Sequence, residues 1–428
     1  MKRMKMRGTF ERPFLLGIIA LTVLSLWGET VVLAQTDFAA WKNPQNAETV
    51  PRWRQQLLNS RDFQNLTGTS RDELLAQTLT SLKEIAEDSN VVPSTRYNAI
   101  LAVGQLVSVE PSPGTPPVAY ADALTYLVDS YQEPDMPYYL QYGALLGIVR
   151  HTHCGMESAQ QNKVIDLLLD TISTEFVPEE TTLNSMPLEP AVWEWFRQTA
   201  LEGLTGLKTI GTNGKVVTEL LEVINRQSQE LEDLIGSEEP LSREDWERTR
   251  RIAALATKAA KTLGDLNYAS ATNRNANKMI DTFIRLIRAE CSINCKRATE
   301  TIEKGGTSSD SAILLERIVL NVKMCIQSVG WGIRSDFLSG RPTKNSFYTS
   351  LESDEPAMKR LTLLLAEITK LAMFLDEGDG TRRPVLSANV AKEFLFTLAE
   401  LRDVLAKTSD ALTEKQDKEK EPETASPD

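Results

Sequence analysis

The 428-residue chain predicts an all-α protein, an α-solenoid of stacked helix pairs followed by a C-terminal helical bundle. Three observations carry that prediction. Apolar residues recur at helical spacing through most of the chain. No long stretch alternates with the two-residue period of a half-buried strand. A short signature, Arg-x-x-Ala leading into an apolar run, returns at near-regular intervals, as it does in repeat architectures.

The first 34 residues predict an export signal. Lys2, Arg3, Lys5, Arg7 and Arg12 form a basic start, and Phe14 to Trp27 is an apolar run of 14 residues. That length suits a signal peptide and falls short of the roughly 20 residues of a membrane-spanning helix. Val32-Leu-Ala34 offers small side chains for cleavage after Ala34, and with no cysteine beside it a lipid anchor is not expected. The mature protein is therefore expected to be periplasmic or extracellular, with no transmembrane segment. Residues 35–70, with Phe38, Trp41, Trp53 and Phe63, read as a leader laying short helical pieces over the first repeat.

The repeats come next. Asp72 begins a helix whose Leu75, Leu79, Leu82 and Ile85 share one face. Asp88-Ser-Asn ends it, and Pro93 starts the next at a position where its missing N–H costs nothing. Helices follow over Val118–Tyr131, Tyr138–Arg150, Ser158–Phe176, Ala191–Leu207, Lys215–Leu234 and Ser242–Leu263. They are broken by Glu133–Pro137, by a Pro/Thr/Glu-rich loop at 177–190, by Gly211–Gly214 and by Gly236–Pro240. Ser242, three residues before Asp245, is placed to cap its helix. Strands are not expected.

The signature falls at Arg96-Tyr-Asn-Ala99, Gln141-Tyr-Gly-Ala144, Arg197-Gln-Thr-Ala200 and Arg251-Ile-Ala-Ala254, at intervals of 45, 56 and 54 residues. With this signature and spacing, residues 71–268 resemble HEAT repeats, a branch of the armadillo-type α-solenoids; Gln141 stands where the others have Arg. The resemblance implies stacked helix pairs whose second helices line a concave binding face. Beyond residue 268 the signature fades. Helices over Lys278–Glu303, Ser311–Ser328, Pro356–Leu375 and Ser387–Lys407 make residues 269–408 a helical bundle or degenerate repeats. Residues 409–428 form a charged tail without the apolar material to order it.

Charge and motifs narrow the function. Without residues 1–34, 42 of the 47 basic and 57 of the 59 acidic side chains remain, a net charge near −15. That excludes phosphate-backbone binding, hence nucleic acid, as the main work and suits a basic partner better. No nucleophile elbow, P-loop, dinucleotide fingerprint or His-Glu-x-x-His motif occurs. Two histidines leave little for His-based acid–base catalysis. Both lie in His151-Thr-His153-Cys154, where imidazole and thiolate in a turn are possible ligands for zinc or copper, with Glu157 a possible fourth; the alternative is a polar helix end beside a small buried cysteine. Cys291 and Cys295, one turn apart on an apolar stripe, pack as small hydrophobes or, after export, pair with Cys325 in a disulfide. Tyr138, Tyr142 and Trp193 are either packing between repeats or anchors for a peptide on the concave face.

The expected function is that of an exported, non-enzymatic scaffold binding a protein or peptide, with no cofactor. The alternatives are metal binding through His151, His153 and Cys154, or a purely structural role in the envelope.

Overall fold

The computed structural model describes residues 37–58, 66–175, 182–183, 186–187, 189–237, 239–269, 276–303, 309–334 and 346–377. The expected signal peptide, the helix expected over Ser387–Lys407 and residues 409–428 lie outside these residues. Within them the protein is all-α, and it divides between Ala102 and Val103 into two compact units.

The first unit is built on α1 (Phe38–Lys42), α2 (Val50–Leu58), α3 (Thr69–Glu87) and α4 (Pro93–Val103). The Asp37 carboxylate accepts from the Ala40 N–H at 3.1 Å and starts α1, which buries Trp41 and packs on α3. α3 buries Leu75, Leu79, Leu82 and Ile85, the stripe visible in the sequence. α4 opens on Pro93 and buries Ala99 and Ile100.

The second unit opens with a feature absent from the sequence-based expectation. β1 (Val107–Val109) and β2 (Val118–Ala119) form an antiparallel hairpin, and Gly155 joins its edge by accepting from the Ala119 N–H and donating to Pro117 O. The helix expected from Val118 therefore begins at Ala121 instead. A second short hairpin pairs β3 (Thr182–Leu183) with β4 (Met186–Pro187). Two or three residues are too few for a period of two to register. The prolines at 111, 113, 116 and 117 set the first turn by lacking the N–H groups a helix needs.

Helices then alternate: α5 (Ala121–Gln132), α6 (Tyr138–His151), α7 (Ser158–Ser173), α8 (Pro190–Leu207), α9 (Lys215–Ile235), α10 (Arg243–Asp265), α11 (Ala276–Glu303), α12 (Ser309–Ile333), a single turn α13 (Phe347–Ser350) and α14 (Glu355–Glu377). Eight of these form four consecutive packed pairs, α5/α6, α7/α8, α9/α10 and α11/α12. First helices touch first helices (α5, α7, α9, α11), and second helices touch second helices (α6, α8, α10, α12). The packing is that of a helical repeat, and it runs through residue 268 to α14, which packs on both members of the last pair.

Local chemistry explains why the elements start and stop where they do. Ser242 and Asp245 form a reciprocal capping box, with Ser242 Oγ accepting from the Asp245 N–H at 3.1 Å and Asp245 Oδ2 accepting from the Ser242 N–H at 3.0 Å. Such a box satisfies two donors the first helical turn leaves without partners. At the other end of each pair, the signature residues close the preceding helix. Arg96 Nε donates to Ala86 O at 2.8 Å, Gln141 Nε2 to Glu133 O at 3.0 Å, and Arg197 Nε to Ile172 O at 2.9 Å. Each binds a carbonyl at a helix C-terminus, where the partial negative charge favours a donor or cation. Ala99, Ala144 and Ala200, three residues on, are fully buried. The fourth match differs: Ala254 is exposed. The C-terminus of α9 is held by Lys296 Nζ, which donates to Leu234 O, Ile235 O and Ser237 O.

In the second-helix row α10 and α12 approach closely. A methyl group on Gly264 of α10 would fall on the Trp331 carbonyl oxygen of α12, and one on Gly332 would fall on Ala260 O. Only a residue without a side chain lets these two backbones come this near.

Candidate ligand-binding groove

Because α8, α10 and α12 lie side by side, their outward faces share a groove of about 640 Å³. Gln198 and Glu202 of α8 form one wall. Arg250, Ala253, Ala254, Thr257, Lys258 and Lys261 of α10 form the floor, and Asn321, Met324, Gln327, Ser328 and Trp331 of α12 form the other wall. The spacing follows helical geometry: 198 and 202, 250 through 261, and 324 through 331 each repeat every three or four residues. The same periodicity places Trp195 on the α8 face and Leu320 on the α12 face. Trp195 is 57% exposed, Leu320 55% and Met324 59%, three of the large apolar side chains most open to water.

Lys258 Nζ meets Glu202 Oε1 at 2.6 Å, and Arg250 meets Glu247 at 3.1 Å. Lys261 stands over the Trp331 ring at 5.9 Å from its centre, and Trp331 Nε1 donates to Asp265 Oδ1 at 2.8 Å. These ion pairs are at the surface and contribute less than about 1 kcal/mol each.

Glu290 reaches the groove from α11. It is 2% exposed, and burial pushes its pKa up to about 7, against a weaker opposing effect of the Asn294 hydrogen bond. Asn294 Nδ2 donates to Oε2 at 3.1 Å, while Oε1 has no hydrogen-bond partner. An unsatisfied buried polar atom costs about 1–3 kcal/mol. Two thiols, Cys291 and Cys325, lie near it; both are buried, and burial raises the pKa of both. A second buried carboxylate, Glu194 of α8, is pushed up to about 7 by burial, with Arg197 at 3.6 Å working the other way.

The residues singled out in the sequence fall elsewhere. Tyr142 and Trp193 close on Phe196, with ring centres at 5.0 and 5.5 Å; the Tyr142 contact joins α6 to α8, and the Trp193 contact lies within α8. Their polar ends are engaged too: Tyr142 Oη lies 3.3 Å from Thr199 Oγ1, and Trp193 Nε1 donates to Thr174 O at 3.3 Å. Tyr138 is half-buried at the start of α6. Among the described residues Trp195 is the exposed aromatic.

His151, His153 and Cys154 are not brought together. His151 is fully buried, His153 is exposed, and Cys154 Sγ donates to Arg150 O at 3.8 Å. Among the described residues no group of three or more His, Cys, Asp or Glu side chains is placed to hold a metal ion. Cys291 and Cys325 are buried and no disulfide joins the described cysteines, so of the two readings of the sequence this structure has the packing and not the bridge to Cys325. A second open space, between α5, α7 and α9, carries Asp129, Asp166, Asp170 and Glu219 with Lys163 and Lys215.

Glu290 is the residue that the sequence-based expectation lacks. Its signal is present in the letters: a carboxylate and an amide, Glu290 and Asn294, sit one turn apart among Phe283, Leu286, Ile287 and Ile293, all of them buried. A charged group on an apolar stripe is informative because Glu is rarely buried without a partner. Set against protein-family models, curated proteins and solved structures, the sequence matches none. No helix among the described residues is long and apolar enough to cross a membrane.

Proposed function

We propose that the protein is an exported, non-enzymatic scaffold of the HEAT-like α-solenoid type, which binds a protein or peptide along the groove of its second helices. The observation that carries this reading is the groove itself. Three successive repeats contribute to it, Met324 stands open to water within it, and Trp195 and Leu320 are exposed on two of the helices that form it, α8 and α12. Exposed apolar groups set in a polar rim are the usual anatomy of a recognition surface. Export is supported by the basic, then apolar, N-terminal sequence ending at Ala34. Binding would come from shape and from contacts dispersed over successive repeats, Trp195 and Met324 among them, with no single decisive residue.

The test is quantitative capture of partners from the exported fraction by wild-type protein and by a Trp195→Ala/Met324→Ala double variant. Both side chains are exposed, so the variant should keep the wild-type unfolding temperature within about 2 °C. A partner recovered stoichiometrically by wild type and reduced at least tenfold with the variant is the expected result. Equal recovery by both proteins contradicts the groove as the binding surface.

A further inference from the structure

No further inference is drawn: the strongest candidate, the part of the groove between α8, α10 and α12 where Met324 stands open to water, belongs to the site already described, and nothing in the structure shows what covers it.

Discussion

His151 is fully buried at the end of α6. Its pKa is pushed down to about 4, by burial first and by the Arg150 charge second, with the Gly104 backbone acting weakly the other way. The unfolded state therefore binds a proton between about pH 6.5 and pH 4 that the folded state refuses, so stability falls as pH falls through that window. Glu290 and Glu194 act in the opposite sense. Their folded pKa values, near 7, lie above the unfolded value of 4.5, so their contribution is present at low pH and is lost as pH rises through 7. Urea unfolding separates the two. Between pH 7.5 and pH 4.5 the wild type should lose about 2–3 kcal/mol more than a His151→Leu variant. Identical pH profiles would mean that His151 is not held neutral by the fold. At this scale the sequence is only partly legible. The spacing of His151, His153 and Cys154 permits a metal site, but α6 continues one residue further than expected and turns His151 into the interior. Which face a terminal residue takes depends on where the helix stops, and helix ends are the least determined feature of a sequence.

The helices themselves are legible because their cause is local. A stripe such as Val216, Leu220, Ile224 and Leu231 is visible in the letters, and so are the Ser242–Asp245 cap and the Pro93 start. The two hairpins are not, being shorter than any periodicity. The groove is only half legible. The aromatic residues of α8 stand out in the sequence as candidate anchors, but a two-residue step along a helix turns a side chain by roughly 200°. Trp193 therefore packs on Phe196, while Trp195 faces out. The close approach of α10 and α12 is invisible in the sequence, since Gly264 reads there as an ordinary helix ending. In the structure it is the contact that sets the width of the groove floor. Gly264→Ala should cost about 1–3 kcal/mol by overpacking against the Trp331 carbonyl and should weaken partner binding as well. Gly236→Ala, where the added methyl meets only ordinary contacts, is the matched control and should cost well under about 1 kcal/mol in the same thermal melt. Equal stability of the two variants would mean that α10 and α12 part freely.

Across the second unit, helices of the same row are linked by charge pairs that recur from one repeat to the next. Lys215 meets Asp166 at 2.8 Å, Lys258 meets Glu202 at 2.6 Å, Lys278 meets Glu222 at 3.6 Å, and Arg360 meets Asp281 at 2.5 Å. Each cation lies on the later helix and each acid on the earlier one. Exposed pairs of this kind add little stability singly, and the array is held by its apolar contacts. The pairs act instead on register, because a slipped neighbour would set like charges together. The arrangement suits binding spread over several repeats, with no single decisive residue. Photo-crosslinking tests that central claim most directly. A photoreactive phenylalanine derivative is placed in turn at Trp195, Met324 and, on the first-helix row, Lys163, and the protein is irradiated in the cells that make it. The account predicts one and the same partner attached at positions 195 and 324 and none at 163. Attachment only at 163, or different partners at 195 and 324, would contradict it.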